Sequence, residues 1–323
     1  MKFLNNTSNQ HFLSQVEQRL NSSTPHASQK NQKIFSFEIK KDLFTEKRKL
    51  NNPTEKSIPS NLSINDLFSF DIEPKANLRH NFENIFHQYE RSTHIHTEAL
   101  LTKVQAMSSD ISVEVKALFS AKFLNFMRNP YSVTKILNSF RGVVPYRPTD
   151  PELDRLFDLV KNGRKPHQKT MCRRLGISDA EYENWLGVLF ITLSQLPPIK
   201  ETIFEGLVRS MFDGTKHIVG VLICTYTREK CLLSDRSFST MQQTPETIII
   251  DFNLRHDAFI RYIFTKSTSS TFSSTINLNR NTIFPISVFH RVDDITLLRT
   301  FNANVINQSH NHVFCAVKDG IIF

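Results

Sequence analysis

Asp235 is a candidate catalytic residue because both its residue type and its position could support chemistry. It follows the apolar residues Leu232 and Leu233, a pattern typical of the end of a strand. Active-site residues often lie where strands end, and a carboxylate there could act as a general base or bind a metal. The alternative is an aspartate that caps the turn after the strand.

His11 and Arg128 are two further candidates for a catalytic role. His11 lies in the polar segment between Asn9 and Gln15, and its imidazole could exchange a proton near neutral pH. A histidine that packs at the surface or against the N-terminal segment is the alternative. Arg128 closes a helical pattern, where it could bind an anion such as phosphate or cap the helix by meeting its dipole. We predict that His11 and Asp235 form one site, although they lie near opposite ends of the chain.

Two pairs of residues have a spacing that a metal site could use. Glu83 and Glu90 are seven positions apart, so they lie on one face of a helix. They could bind a metal, and a salt-bridged or solvated helix face is the alternative. His310 and His312 would point to one side of an extended segment, but no carboxylate lies nearby in sequence to complete a ligand set. We therefore assign no metal, and the sequence leaves any cofactor unknown.

The densest run of basic residues extends from Lys161 to Arg174, with no acidic residue before Ser178. Such a run favours contact with the phosphates of nucleic acid. Leu175–Ser178 resembles the turn of a helix-turn-helix, but the next helix opens with acidic residues that would repel phosphate. We interpret the region as a helical hairpin with a basic surface along one side. The residues expected to bind nucleic acid are Arg164, Lys165, Lys169, Arg173 and Arg174.

The helices and strands that must position these residues are predicted to form an α+β fold. It has a helical middle region and a mainly antiparallel sheet, formed by the C-terminal half and an early N-terminal strand at Lys33–Lys40. Residues 1–60 are predicted to be a polar N-terminal segment with this one strand, followed by a loop over Glu46–Ser60. Residues 61–323 are predicted to be a single α+β domain, helical over 61–210 and rich in strands over 211–323. The later strands are expected at His217–Thr227, Cys231–Ser234, Thr247–Phe252, Thr282–Phe289 and Val313–Val317.

Local signals predict where several elements begin and end. Asn77–Gln105 has helical periodicity with a polar interruption, and a second helix is expected from an N-cap at Ser112 to Pro130. Ser178 and Glu181 form a capping box that starts a helix before Pro197. The polar residues 228–230 predict a hairpin turn between the first two C-terminal strands.

Four ordered segments and a C-terminal helix-strand pair resemble the bacterial family called domain of unknown function 4238. The first pairs a His-aromatic element with the strand at Lys33–Lys40; the others resemble a helix with two glutamates, a helix ending in Arg-x-Pro, and a strand-end Ser-Asp motif. At the C-terminus, a helix containing Asn302 leads into Val313-Phe314. The four segments are Asn9–Gln15 with its strand, Asn77–Glu90, Leu118–Pro130 and Leu232–Arg236.

The Ser-Asp motif of this resemblance adds Ser234 to the candidate catalytic residues His11, Arg128 and Asp235. Two positions depart from the family pattern. Ser14 stands where the family has proline in its first motif, and Arg236-Ser237 replaces the proline that usually follows Ser-Asp. Both changes loosen the local backbone geometry.

The resemblance implies a bacterial protein, often encoded near mobile elements, without an established reaction. Our leading hypothesis is a nucleic-acid-directed hydrolase that acts as a toxin or phage-defence effector. This hypothesis is based on the net positive charge of the chain and on the polar motifs that are scattered along it. The alternative is a non-enzymatic module that binds or senses nucleic acid or a protein.

Composition narrows the class of protein further. The 323 residues carry a net charge of +9, which favours polyanionic partners. Eight glycines form no phosphate-cradling loop, which argues against the common nucleoside triphosphate chemistries. No apolar run reaches the roughly 18 residues of a membrane span, and the polar N-terminus is unlike a secretion signal. With four cysteines in no metal-binding spacing, we predict a cytoplasmic protein with free thiols and no membrane partner; its oligomeric state stays unknown.

Overall fold

The protein has an α+β fold, as the sequence predicts. The structure, a computed structural model, describes residues 3–41, 48–73, 75, 78–108, 110–198, 200–241, 243–267 and 285–323. The helices are α1 Gln15–Leu20, α2 Glu83–Glu90, α3 Thr93–Gln105, α4 Ser112–Met127, α5 Val133–Ser139, α6 Pro151–Asn162, α7 Gln168–Leu175, α8 Asp179–Leu193, α9 Ile203–Met211 and α10 Ile295–Gln308. The strands are β1 Asn9–His11, β2 Lys33–Lys41, β3 Arg48–Leu50, β4 Thr54–Ser57, β5 Ser63–Asn65, β6 Asp71–Glu73, β7 Leu78–His80, β8 His217–Thr225, β9 Leu233–Ser234, β10 Ser239–Thr240, β11 Thr247–Arg255, β12 Ala258–Lys266, β13 Ser287–Val292 and β14 His312–Cys315.

Side-chain caps define where several helices begin. The predicted capping box is confirmed, because Ser178 Oγ accepts the backbone N–H of Glu181 and the Glu181 carboxylate accepts the backbone N–H of Ser178. Ser14, one of the two departures from the resembled family, caps α1 by accepting the backbone N–H of Glu17 at 3.2 Å. Gly176 ends α7 in the left-handed conformation, with φ of 67°, where a side chain would be strained.

The chain forms two compact units, each built from separated segments. Unit 1 comprises Met1–Phe12, Leu62–Arg91 and Phe123–Leu207, and unit 2 comprises Leu13–Asn61, Ser92–Lys122 and Val208–Phe323. These units interleave along the chain, a division that sequence periodicity does not reveal. The predicted boundary after residue 60 stays a prediction.

Unit 1 is centred on aromatic side chains. The buried ring of Phe68 lies 4.9 Å from that of Phe86 and 5.7 Å from that of Trp185, measured between centroids. Trp185, on α8, also donates its indole N–H to the carbonyl of Met127 at 2.8 Å. The abundant phenylalanines therefore build an interior here, as their apolar surface favours.

Unit 2 contains two five-stranded sheets. One has the order β10-β11-β12-β8-β13, with every pair antiparallel except β13 and β8. The other has the order β3-β2-β14-β9, with β4 also paired to β2. In that sheet Phe37 of β2 lies opposite Val313 of β14, which confirms that the early strand joins a sheet from the C-terminal half. Phe301 of α10 stacks on Phe259 of the first sheet with centroids 4.3 Å apart.

Several predicted strand features were wrong. The hairpin across residues 228–230 does not form, since β8 pairs with β12 and β13 whereas β9 pairs with β14. Both edges of β8 are thus occupied, and neither is left to pair with β9. The predicted loop over 46–60 contains β3 and β4, and β12 was missed. The strand predicted at 282–289 is found at Ser287–Val292, and its predicted start lies outside the described residues.

All four cysteines are buried free thiols. Burial raises the pKa of Cys224 to about 12, so this thiol stays protonated near neutral pH. Every helix in the described part of the chain is too short or too polar to cross a membrane.

Candidate functional site

Arg128 is the centre of a buried polar cluster in unit 1. The residue follows α4, and its side chain is only 1% exposed. Its guanidinium donates hydrogen bonds to Glu90 and to Asn125 Oδ1, the latter from Nε at 3.1 Å and from Nη2 at 2.7 Å. It also lies 4.9 Å from the centroid of the Phe86 ring. The charge of Arg128 is therefore neutralised within unit 1, and an incoming anion would have to compete with Glu90 for it.

Glu83 belongs to the same cluster, where the charges of Arg128 and Glu90 act on its carboxyl. Burial raises the pKa of Glu83 to about 7; the positive charge of Arg128 acts against this rise and the negative charge of Glu90 adds to it. Glu83 Oε1 is buried and has no hydrogen-bond partner among the described residues. A carboxyl with this pKa can donate and accept protons near neutral pH, which is a property of general acids and bases. Glu83 and Glu90 thus lie together with Arg128, the cation of this cluster.

His11 also belongs to unit 1. It lies in β1 opposite Ser63 of β5, and it is 9% exposed. The ring of the next residue, Phe12, meets the ring of Tyr131 at 5.4 Å, so β1 packs beside the segment that follows Arg128. An acid–base role for the His11 imidazole stays a prediction.

Asp235 holds a turn in unit 2. Its carboxylate is 1% exposed and accepts three backbone N–H groups: Oδ1 from His310 at 2.7 Å, and Oδ2 from Asn311 at 2.7 Å and His312 at 2.9 Å. Burial raises the pKa of Asp235, while the three N–H groups and His310 act in the opposite direction. This is the geometry of a turn-capping aspartate, although the turn that it caps is distant in sequence.

Ser234 supports the same connection. Its hydroxyl lies 2.7 Å from the hydroxyl of Ser309, and it accepts the backbone N–H of Arg236 at 3.0 Å. The pair Ser234-Asp235 therefore joins the end of β9 to the segment between α10 and β14. A catalytic role for either residue stays a prediction.

The candidate catalytic residues are divided between the units. His11 and Arg128 lie in unit 1, whereas Ser234 and Asp235 lie in unit 2. The single site predicted for His11 and Asp235 thus stays a prediction.

The basic run of unit 1 separates into engaged and exposed cations. The Lys165 ammonium donates to the backbone carbonyls of Lys161 and Gly163, both at 3.1 Å, and Lys161 donates to Asn184 Oδ1 at 2.7 Å. Burial lowers the pKa of both lysines. The other four cations of the run are exposed and form no side-chain hydrogen bond or ion pair with described residues. They are Arg164, Lys169, Arg173 and Arg174.

The region around this run is the helical hairpin that the sequence predicts. α7 and α8 are joined by a short turn at Gly176, and ten of the 15 residues of α8 are buried. A recognition helix must enter the major groove of DNA, which a buried helix cannot do. Within this hairpin, the exposed cations of α7 and of the turn before it are the groups that nucleic acid could contact.

His310 lies just before β14, and His312 is its first residue. Among the described residues, no group of three His, Cys, Asp or Glu side chains is arranged to hold a metal. His310 is exposed, and burial lowers the pKa of its ring. The two histidines instead contribute their backbone N–H groups to Asp235.

Unit 2 contains a buried polar cluster that the sequence reasoning missed. The Lys122 ammonium lies 2.8 Å from Glu17 Oε2, and both side chains are 1% exposed. Lys122 also donates to the carbonyl of Asn253 at 2.6 Å, and the side chains of Asn253 and Asn21 exchange two hydrogen bonds. One signal could have found Lys122: it lies four positions after Leu118, on the apolar face of α4.

Comparison with known proteins adds no relative. No protein-family model, no curated protein and no solved structure matches the chain. The resemblance to the domain of unknown function 4238 stays a prediction.

Proposed function

We propose that this protein binds nucleic acid through Arg164, Lys169, Arg173 and Arg174, which we call the α7 surface. The observation that carries this proposal is the exposure of these four cations without an ion pair among the described residues. Cations already paired with carboxylates gain little from phosphate, whereas unpaired ones release counterions when they bind it. Lys165, a residue of the predicted set, is left out because its ammonium is bound to backbone carbonyls.

The neighbouring acids of α8 are partly occupied by hydrogen bonds inside unit 1. The Glu181 carboxylate accepts the Ser178 backbone N–H at 2.8 Å, and Glu183 accepts from Gln168 at 2.9 Å. Positive charge therefore predominates on the exposed side of α7. Since arginine and lysine meet the backbone phosphates and α8 is buried, binding should depend weakly on base sequence.

The test measures binding of the full chain to labelled single- and double-stranded oligonucleotides by fluorescence anisotropy from 50 to 200 mM salt. We expect the affinity for the oligonucleotides to fall steeply as the salt concentration rises. In a variant with all four cations of the α7 surface replaced by Gln, affinity should drop and the log–log salt slope should decrease by up to about 3 for single strands and about 4 for duplex.

A matched control removes the same charge from exposed cations of unit 2. Replacing Lys56, Arg228, Arg291 and Lys318 by Gln leaves the α7 surface intact. If both quadruple variants change affinity equally, net charge and not this surface governs binding, and the proposal is wrong. Binding that is unchanged by the α7 substitutions would contradict it as well.

A second candidate function is hydrolysis of the bound nucleic acid, as in a toxin or phage-defence effector. The specific observation that favours it is Glu83, a carboxyl that exchanges its proton near neutral pH beside Arg128, in the unit that carries the α7 surface. In this function Glu83 and His11 would be the proton-transfer groups. The alternative without chemistry is a binding or sensing module that uses the α7 surface alone.

Cleavage of labelled RNA and DNA distinguishes these two functions. A hydrolase should lose about 100-fold or more of its rate in Glu83→Gln and in His11→Ala, because general acid–base catalysis supplies about that factor. Glu73→Gln, at an exposed carboxylate of unit 1, should leave the rate unchanged. Cleavage that survives both substitutions, or a wild-type protein that cleaves neither polymer, would exclude this hydrolase.

A further inference from the structure

Arg236 is a half-buried cation whose guanidinium has no hydrogen-bond or ion-pair partner among the described residues. It follows Asp235 in the turn between β9 and β10. Its Nε is buried, and its guanidinium forms no hydrogen bond or ion pair within the described part of the chain. Asp235 is close enough for its charge to act on Arg236, but both carboxylate oxygens are taken up by backbone N–H groups. A cation that loses solvent without gaining hydrogen bonds is unfavourable, so its position calls for an anion.

A second arginine lies close to the first. Arg48, at the start of β3, donates from Nη1 to the carbonyls of Ile306 at 3.2 Å and Ser309 at 2.7 Å, which fixes its guanidinium at the C-terminal end of α10. Its positive charge acts on Arg236 and on the His310 ring. One cation, Arg48, and one carboxylate, Asp235, thus act on Arg236, so the net charge of these three residues is positive.

The turn that carries Arg236 also contains strain and unused hydroxyls. Ser237 has a φ of 74°, in the left-handed region that is unfavourable for residues other than glycine. Its side chain is 2% exposed, and its Oγ has no hydrogen-bond partner among the described residues. The same holds for Ser239 Oγ, in β10. Strained backbone and unsatisfied polar groups collect at ligand-binding turns.

We infer that this corner of unit 2 binds a phosphate group, with the Arg236 guanidinium as its main contact. We call it the Arg236 corner, formed by Arg48, Arg236, Ser237 and His310. Arginine presents donors in a planar fork that matches phosphate oxygens. Positive charge from Arg48 strengthens binding of a dianion over that of a single carboxylate. The inference is independent of the α7 surface, since that surface lies in unit 1.

The phosphate could be inorganic phosphate, a nucleotide phosphate or the phosphorylated end of a nucleic acid. The test follows the thermal midpoint of the full chain at constant ionic strength while chloride is replaced by inorganic phosphate. A nucleoside 5′-monophosphate and oligonucleotides with and without a 5′-phosphate form the other arms. We expect phosphate to raise the thermal midpoint of the wild-type protein. The compound that raises it most at equal concentration identifies the source of the bound phosphate.

Arg236→Gln is the decisive variant, and Arg228→Gln, at an exposed residue of unit 2, is its matched control. Without phosphate, Arg236→Gln should unfold at the wild-type temperature or above it, because it removes an unpaired cation. With phosphate, it should lose the rise in midpoint and bind about tenfold more weakly or worse. Arg228→Gln and the α7 quadruple variant should keep the full response, which separates this inference from the proposed function.

Two results would overturn the Arg236 corner. One is a wild-type midpoint that does not respond to phosphate when ionic strength is held constant. The other is an Arg236→Gln protein, folded by near-ultraviolet circular dichroism, that retains the wild-type response. An equal response to acetate would also contradict it, since a carboxylate would then suffice.

Discussion

At the scale of single residues, three buried cations each meet a carboxylate inside their own unit. The pairs are Arg128 with Glu90, Lys122 with Glu17, and Arg261 with Asp251. Asp235 differs from these pairs, because three backbone N–H groups donate to its buried carboxylate. Its removal would therefore take away the acceptor of three backbone N–H groups, which makes its contribution to stability direct.

Asp235→Asn should destabilise the protein by about 2–4 kcal/mol. The amide keeps one oxygen, but its NH2 group then faces at least one backbone N–H of residues 310–312. Urea denaturation measures the loss, and Asp319→Asn, at an exposed aspartate, is the control. A variant as stable as the wild-type protein would show that Asp235 is not held by its turn, and the catalytic role would regain support.

The raised pKa of Glu83 predicts that the stability of the protein depends on pH. Its pKa is about 7 in the folded protein and near 4.5 when exposed, so the folded state binds the proton more tightly than the unfolded state. The stability contributed by this group is full at acidic pH and is lost as pH rises through 7. Glu83→Gln should therefore gain about 2 kcal/mol relative to wild type between pH 5 and pH 8. Parallel unfolding free energies across this range would contradict the raised pKa, and Glu73→Gln should show such parallel behaviour.

At the scale of elements, the Lys122 cluster joins three parts of unit 2. Glu17 comes from α1, Lys122 from α4 and Asn253 from β11. Asn21, which ends α1, adds two hydrogen bonds to Asn253. Apolar packing alone would let a short helix such as α1 shift along its neighbours, whereas this set of directional contacts fixes its position.

Lys122→Met should destabilise unit 2 by about 3–5 kcal/mol, because Glu17 would keep a buried charge without its cation. The double variant Glu17→Gln, Lys122→Met should regain most of this loss. Lys103→Met breaks a more exposed pair with Glu114 on neighbouring helices and should cost much less than Lys122→Met. Thermal denaturation of the four proteins gives the comparison. Equal losses for the two single variants would mean that burial does not govern the cost.

At the scale of the whole molecule, the N-terminal segment contributes to both units. Residues up to Phe12 belong to unit 1, and residues 13–61 belong to unit 2. In unit 2, β2 lies between β14 and the two strands β3 and β4, and it buries Ile34 and Phe37. The segment is therefore a structural part of each unit, in spite of its polar composition.

A chain that begins at residue 61 should fail to fold cooperatively. It would lack β2, so β14 would lose most of its ladder and the core around Phe37 would open to water. Far-ultraviolet circular dichroism during heating measures the outcome, and co-expression of residues 1–60 as a separate chain should restore part of the transition. A sharp two-state transition for residues 61–323 alone would instead support the single domain that the sequence predicts.

Short-range patterns predicted much of the secondary structure and little of the candidate site. The capping box at Ser178, the helix that ends before Pro130 and the strand at Lys33–Lys40 follow from neighbours within a few positions. The failed hairpin after β8 shows the limit of such patterns, because a turn signal does not encode which edge of a strand is occupied. Lys122 and Glu17 show it again, since their burial depends on a partner about 100 positions away.

The sequence by itself determined the α+β class, the main helices and the exposed basic run before α8, because periodicity, caps and charge density are local properties. Tertiary structure decided which polar residues meet. It paired Arg128 with Glu90, which withdraws that cation from the solvent, and it brought Asp235 to the backbone of residues 310–312. It also left Arg236 half-buried beside Arg48. Such encounters depend on the packing of segments far apart in the chain, and burial then sets the strength of each charge, which no pattern of neighbouring residues encodes.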